Sequence, residues 1–243
     1  MDSTDLPQNS TAAKAFFSVE SPYYTFFKRP GLRYDYFNYS MTYREDSDLP
    51  QGYEFDLEVA FNGTSKSVEE IRKIISKKKD LALIADSNCN TKSHREYLLT
   101  ALNSQMNITR VGSCANRTCD NGCLQELITT HHFYFAFENS ICHDYVTEKF
   151  FRFTRFIVPV VLKRSIVPKR IPSDLFIAVD DFNNVTELVN HLQKVASNHT
   201  LYEHRLGGST GFGWRSKASS GTGATSAAKT TGAAAAATTA KAA

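Results

Sequence analysis

The chain has 243 residues, 42% of them hydrophobic and 22% charged, a composition of globular proteins that excludes collagen-like and wholly disordered chains. Its formal charge is +3, but Arg215, Lys217, Lys229 and Lys241 lie in a C-terminal stretch without a single acid, and the remainder sets 24 basic against 25 acidic residues. A balanced body of this kind excludes the broad basic face of a non-specific nucleic-acid binder.

Residues 1–15 and 206–243 carry little structural information. The tail is almost wholly Gly, Ser, Thr, Ala and Lys, with too few apolar side chains to offset ordering entropy, and both ends are expected to be disordered. Met1 to Lys14 has neither the basic nor the apolar region of a secretion signal. The longest apolar run, Phe156 to Leu162, is seven residues and contains Pro159, against the ~18 a membrane-spanning helix needs. The sequence therefore predicts neither signal nor anchor.

Between Lys66 and Lys79, Ser67 and Glu70 form a capping-box pattern, and Val68, Ile71, Ile74 and Ile75 recur at helical spacing. Alternation follows: a strand at 81–85, a helix at 93–102, strands at 108–111 and 133–137, a helix at 145–153, strands at 157–162 and 176–179, and a helix at 187–196. Strands separated by helices of this length imply crossover connections and a parallel sheet covered on both faces. We read a doubly wound α/β domain over 79–205, preceded by a smaller unit over 16–78.

Ligands of such sheets bind beyond the carboxyl ends of the strands, where helix amino termini present N–H groups to anions. Two segments there carry charge. Ser87 to Arg95 follows the first strand, and Glu138 to Lys149 follows the strand at 133–137. If Asp144 caps a helix, Tyr145, Glu148 and Lys149 share one face: a ring, a ribose-hydroxyl acceptor and a phosphate-binding cation, a set that suits a nucleoside diphosphate. Spacing alone reads Arg95 at least as readily as a solvated helix residue. No glycine-rich phosphate motif is present.

Asn-x-Ser/Thr triplets occur at Asn9, Asn38, Asn62, Asn107, Asn116, Asn184 and Asn198, half of the chain's 14 asparagines, where chance gives roughly 2.5. This excess favours a secretory history. It also favours disulfides among Cys89, Cys114, Cys119, Cys123 and Cys142 over a zinc site, for which no fourth ligand falls at a usual spacing. Spacing leaves their connectivity open.

The segment Phe133-Tyr134-Phe135-Ala136-Phe137-Glu138-Asn139-Ser140, with Asp144-Tyr145 and Thr147-Glu148-Lys149 after it, is very similar to the signature of the α-1,3-fucosyltransferases. Glu20-Ser21-Pro22, Thr42-Tyr43-Arg44-Glu45-Asp46-Ser47-Asp48 and the Ser87-Asn88-Cys89-Asn90 stretch ending in Arg95 resemble further motifs of that family, in its order. The resemblance implies a two-domain, metal-independent glycosyltransferase of the GT-B type. Such an enzyme moves L-fucose from GDP-β-L-fucose to the 3-hydroxyl of a GlcNAc or glucose unit in a glycan, with inversion. By the same resemblance Glu20 is the general base, Arg95 and Lys149 hold the diphosphate, and Ser87, Tyr134, Glu138, Asn139, Tyr145 and Glu148 complete the donor site. It also implies residence in the Golgi lumen or membrane. Relative to the family the acceptor-side domain is expected to be a remnant, truncated at the amino terminus. Two alternatives stand beside the enzyme: a non-catalytic GDP- or glycan-binding fragment that pairs with full-length relatives, and a metal-dependent transferase using Asp46 and Asp48.

Overall fold

The computed structural model of the chain describes residues 11–25, 33, 35–53, 68–151 and 156–206. The C-terminal tail, Asn9, Asn62 and the capping-box residue Ser67 lie outside the described residues.

Five strands form a wholly parallel sheet: β3 (Asp80–Ala85), β4 (Ile108–Val111), β5 (His131–Phe135), β6 (Val158–Val161) and β7 (Ile177–Ala178), in the order β4-β3-β5-β6-β7. Because side chains alternate across a strand, the apolar runs feed two cores. Ala82, Ile84, Phe133, Phe135, Val158 and Val160 point to one face, and Leu83, Tyr134 and Val161 to the other. The first face is covered by α1 (Val68–Ile75), α2 (Arg95–Asn103), α5 (Val185–Ser197) and α6 (His199–Arg205), which supply Ile71, Ile75, Leu99, Leu102, Leu188, Leu192, Val195 and Tyr202. The second face is covered by α3 (Asn121–Thr130) and α4 (Glu148–Phe151), through Ile128, Phe150 and Phe151. Burying each such side chain is worth about 1.5–3 kcal/mol.

Asparagine and aspartate set the helix starts. Asp120 accepts from the Cys123 N–H, Asn184 from Glu187 and Asn198 from Leu201, each satisfying an amide the helix leaves unpaired. Two of these helices are absent from the sequence reading. α3 was hidden among the cysteines, although Leu124, Leu127 and Ile128 recur at i, i+3, i+4, and α6 follows α5 with only Asn198 between them. The strand read at 133–137 sits at 131–135, because pairing with β3 begins at Asp80↔His131.

The helix expected from Tyr145 begins only at Glu148. Asp144 does not cap it. Its φ is +60°, and its carboxylate instead accepts from the Glu45 N–H at 3.2 Å and lies 3.0 Å from His143 Nδ1. Thr147 stands before the helix instead, its hydroxyl accepting from the Lys149 N–H at 3.5 Å, and Glu138 holds it from across the loop, accepting from the Thr147 N–H at 2.8 Å.

Ahead of the sheet, β1 (Ala15–Ser18) and β2 (Tyr39–Thr42) pair in parallel, Ala15 against Tyr39 and Ser18 against Thr42. Order thus reaches into the start read as disordered through residue 15, and the Lys14 N–H bonds Asn38 Oδ1. Cys89 is joined to Cys114 and Cys119 to Cys123. Cys142, the fifth candidate, carries a free thiol, as an odd number of cysteines requires of one of them. Asn38, Asn107, Asn116, Asn184 and Asn198 are all exposed.

Candidate functional site

β3 pairs with β4 on one side and β5 on the other. The chain leaves β3 for one edge through α2 and returns to the opposite side through α3, so the loops after β3 and β5 diverge, and a crevice opens between them at the carboxyl ends of the strands. A cavity of about 290 Å³ occupies that place, lined by Ala85, Asp86, Ser87, Asn88, Arg95, Leu124, Tyr134, Asn139, Glu148 and Lys149.

Arg95 is not the solvated helix residue that spacing allowed. It is 2% exposed. The backbone enters α2 through His94 at φ +55°, and the Arg95 guanidinium donates to the Phe137 carbonyl at 2.5 Å and to the Asn88 carbonyl at 2.8 Å. One side chain therefore ties together the loops after β3 and β5. Its Nε is buried without a partner among the described residues, and so is Asn139 Oδ1. A buried donor and a buried acceptor left unpaired at one cavity are unusual enough to require a ligand or a function.

Lys149 approaches the same cavity from α4. Its ammonium lies 3.1 Å from Glu138, 3.1 Å from Glu148 and 2.9 Å from Thr147 Oγ. Burial alone would lower its pKa, but the two carboxylates outweigh burial and hold it above the ordinary lysine range. Burial pushes the Glu138 carboxyl up against the pull of Lys149 and Thr147. Glu148 is also raised by burial, yet Lys149 brings it below the usual carboxylate range. Glu138 itself does not line the cavity. It is 1% exposed and braces Thr147 and Lys149 from behind.

Tyr145 also stands behind the lining. It is buried, its ring meets Tyr43 edge-on at 5.0 Å, and its hydroxyl donates to Glu20 at 2.7 Å. Burial and the Glu20 carboxylate both push the Tyr145 phenol up. Glu20 is exposed. The segment around it is docked onto the loop after β5 by a Ser21–Ser140 hydroxyl pair at 2.9 Å, and the Tyr53 hydroxyl donates to the Val19 carbonyl at 3.0 Å.

Six of the eight expected donor-site residues thus line one cavity, with Glu138 and Tyr145 supporting it. Sequence reasoning missed Asp86, Asn88, Leu124 and Tyr53. Asp86 falls just past the strand read at 81–85, and Leu124 belongs to the unrecognised α3. Asp46 and Asp48 do not converge. Asp46 pairs with Arg44, with Nε–Oδ1 at 2.7 Å, and Asp48 accepts from the Ser40 N–H and hydroxyl at 2.8 and 2.7 Å. Among the described residues no group of three or more His, Cys, Asp or Glu is placed to hold a metal ion, and no helix is long and apolar enough to cross a membrane.

Comparison with known proteins supplies the family. The alpha-(1,3)-fucosyltransferase fut-1 of Caenorhabditis elegans is 35% identical over 209 residues, which cover 83% of this chain and 47% of that protein. The 4-galactosyl-N-acetylglucosaminide 3-alpha-L-fucosyltransferase 9 of Rattus norvegicus is 35% identical over 207 residues, 83% of this chain and 55% of its own length. The chain spans about half the length of these curated relatives. In fold it is similar to a crystal structure of an alpha1,3-fucosyltransferase with GDP-fucose, at a TM-score of 0.59 and 20% identity over 83% of this chain and 67% of the other. The family model of the C-terminal part of glycosyltransferase family 10 (fucosyltransferase) matches residues 75–236, about two thirds of the sequence. The chain belongs to glycosyltransferase family 10, the fucosyltransferases.

Proposed function

We propose that the chain binds GDP-β-L-fucose in the cavity between β3 and β5 and transfers L-fucose, with inversion, to the 3-hydroxyl of a GlcNAc or glucose unit of a glycan. One observation carries the reading: the Arg95 guanidinium and the Lys149 ammonium, delivered by two different crossover units, line one cavity at the switch point of the sheet. A diphosphate is the ligand that two converging cations fit, and charge-assisted bonds from Arg95 Nε would fill its unpaired valence. Asn139 Oδ1 suits an N–H or hydroxyl donor of the nucleoside, and the Glu148 carboxylate suits ribose hydroxyls.

In the transfer itself, Glu20 takes the proton of the acceptor hydroxyl as that oxygen attacks the anomeric carbon. The bond to the GDP oxygen breaks on the opposite face, and Arg95 and Lys149 stabilise the negative charge that gathers there. A single displacement with one base inverts the centre. A positioned base is worth about 10²–10⁴ in rate, and fixed cations at developing charge more. The Tyr145 hydroxyl holds Glu20 in place. No metal is required by this scheme. We further place the chain in the Golgi lumen, with glycans at its exposed sequons, and assign the donor-binding unit to residues 79–205.

A second reading has its own support in the exposure of Glu20: nucleotide binding without turnover. Calorimetric titration with GDP, followed by a fucosyl-transfer assay with and without EDTA, separates the two. We expect micromolar GDP binding and EDTA-insensitive transfer. GDP binding without transfer would favour the second reading, and no binding at millimolar GDP would overturn the site.

A further inference from the structure

The cavity holds a buried acid that the transfer scheme does not use. The side chain of Asp86, one residue beyond β3, is fully buried, and its carboxylate faces two guanidinium groups. Arg110 of β4 grips it in a two-pronged contact, Nε to Oδ1 at 2.9 Å and NH2 to Oδ2 at 2.7 Å. Arg95 NH2 stands 4.0 Å from the same Oδ2. The register explains the convergence. Ile84 pairs with Arg110, and Asp86, two residues on, points to the same face of the sheet as Ile84, the face that α2 and Arg95 cover.

An unpaired carboxylate at this spot would turn to Arg95. A buried carboxylate demands a cation, and at 4 Å in a protein interior the attraction between opposite charges is large on the scale of ligand binding. Arg95 would then be neutralised by its own chain before any diphosphate arrived. Arg110, two-thirds buried and otherwise absent from the cavity lining, satisfies Asp86 from the far side with a planar fork that a lysine cannot reproduce. The remaining charged groups nearby are accounted for. Glu96 Oε1 accepts from the Thr91 N–H at 2.6 Å, while Glu138 and Glu148 are engaged with Lys149.

We propose that Asp86 and Arg110 form a self-neutralising pair that positions Arg95 and leaves its charge free for the diphosphate of the donor. Arg110 is then a positioning residue that never touches the ligand. This inference rests on the GDP-binding reading above.

The test uses the whole chain, with GDP and guanosine titrated into the unaltered protein, Arg110→Leu and Asp86→Asn/Arg110→Leu at two salt concentrations. Arg110→Leu is expected to weaken GDP about tenfold or more while changing guanosine binding less than about twofold. Adding Asp86→Asn to it is expected to recover GDP affinity to within about threefold, a rescue that lost scaffolding cannot give. If Arg110→Leu alone does not fold, the double variant decides: GDP affinity within about threefold of the unaltered chain supports the pair, and a loss beyond tenfold overturns it. GDP affinity unmoved in Arg110→Leu, or weakened equally with and without Asp86→Asn, overturns the pair alone. Absence of GDP binding by the unaltered chain overturns the donor-site reading and the pair with it.

Discussion

The Tyr145 hydroxyl and the Glu20 carboxylate meet at 2.7 Å although 125 residues separate them in sequence. The carboxylate proposed to accept the acceptor's proton is thus aimed by a phenol belonging to the donor loop. Glu20→Gln should lower the transfer rate by about 10²–10⁴ and leave the GDP dissociation constant within about threefold. Tyr145→Phe should lower kcat less, by about tenfold, since the base survives and only its orientation suffers. Steady-state kinetics alongside calorimetry read both. A Glu20→Gln protein with undiminished turnover would remove Glu20 from the mechanism.

On the proposed reading Lys149 has two duties, which mutagenesis can separate. Lys149→Met strips Glu138 of its cation inside the fold, a loss typically worth about 3–5 kcal/mol, and removes the proposed diphosphate contact. Restoring neutrality with Glu138→Gln should recover most of the thermal stability and none of the GDP affinity. Recovery of both would mean that Lys149 serves the fold alone.

Gly112 stands at φ +103°, and a side-chain carbon there would meet the Asp86 carbonyl oxygen at 2.2 Å. That φ region is nearly closed to residues with a Cβ, a strain of about 1–3 kcal/mol before the clash is counted. Gly112→Ala should therefore lower Tm by at least about 5 °C. It should also weaken GDP, because the displaced backbone carries Asp86. A Tm within 1–2 °C of the parent protein would contradict the close approach.

The Cys89–Cys114 bridge fastens the loop after β3, including the Asn88 carbonyl that holds Arg95, to the end of β4. It closes a loop of 25 residues, for which chain entropy gives about 3 kcal/mol. Cys89→Ala/Cys114→Ala should lower both Tm and GDP affinity. Cys119→Ala/Cys123→Ala, whose bridge spans only four positions, should lower Tm less and leave GDP binding unchanged.

Stability should fall on mild acidification. Burial pushes His131, His132 and His191 below the ordinary value of 6.5, so below that pH the unfolded chain binds protons that the folded chain refuses. Folding loses free energy as pH drops from about 6.5 towards the depressed values in the fold. The midpoint of thermal unfolding should be lower at pH 5.5 than at pH 7.5, and His131→Gln/His132→Gln should flatten that slope. A slope unchanged by the double substitution would place the acid sensitivity elsewhere.

The sheet was legible because its strands are short apolar runs bordered by polar residues, and a parallel sheet buried on both faces writes itself in that form. Ile108 to Val111 was read to the residue. Local pattern failed where a distant group decides the geometry. The helix from Tyr145 was overruled because Glu138, on the far side of the loop, takes the Thr147 amide. Spacing alone left Arg95 open to a surface reading because the two carbonyls that hold it belong to residues 7 and 42 positions away. Asp86 and Arg110 carry no motif at all, and only the β3–β4 register brings them together.

The docking of Ser21 on Ser140 and of Glu20 on Tyr145 has a thermodynamic corollary. The segment bearing Glu20, the proposed base, is fastened to the very loop whose far end presents Glu148 and Lys149. If the proposed donor site and base hold, a nucleotide that quiets this loop also quiets Glu20, and by reciprocity an acceptor sugar that immobilises Glu20 must tighten the grip on the nucleotide by the same factor. On the proposed reading, one shared stretch of backbone therefore couples the binding of nucleotide and acceptor.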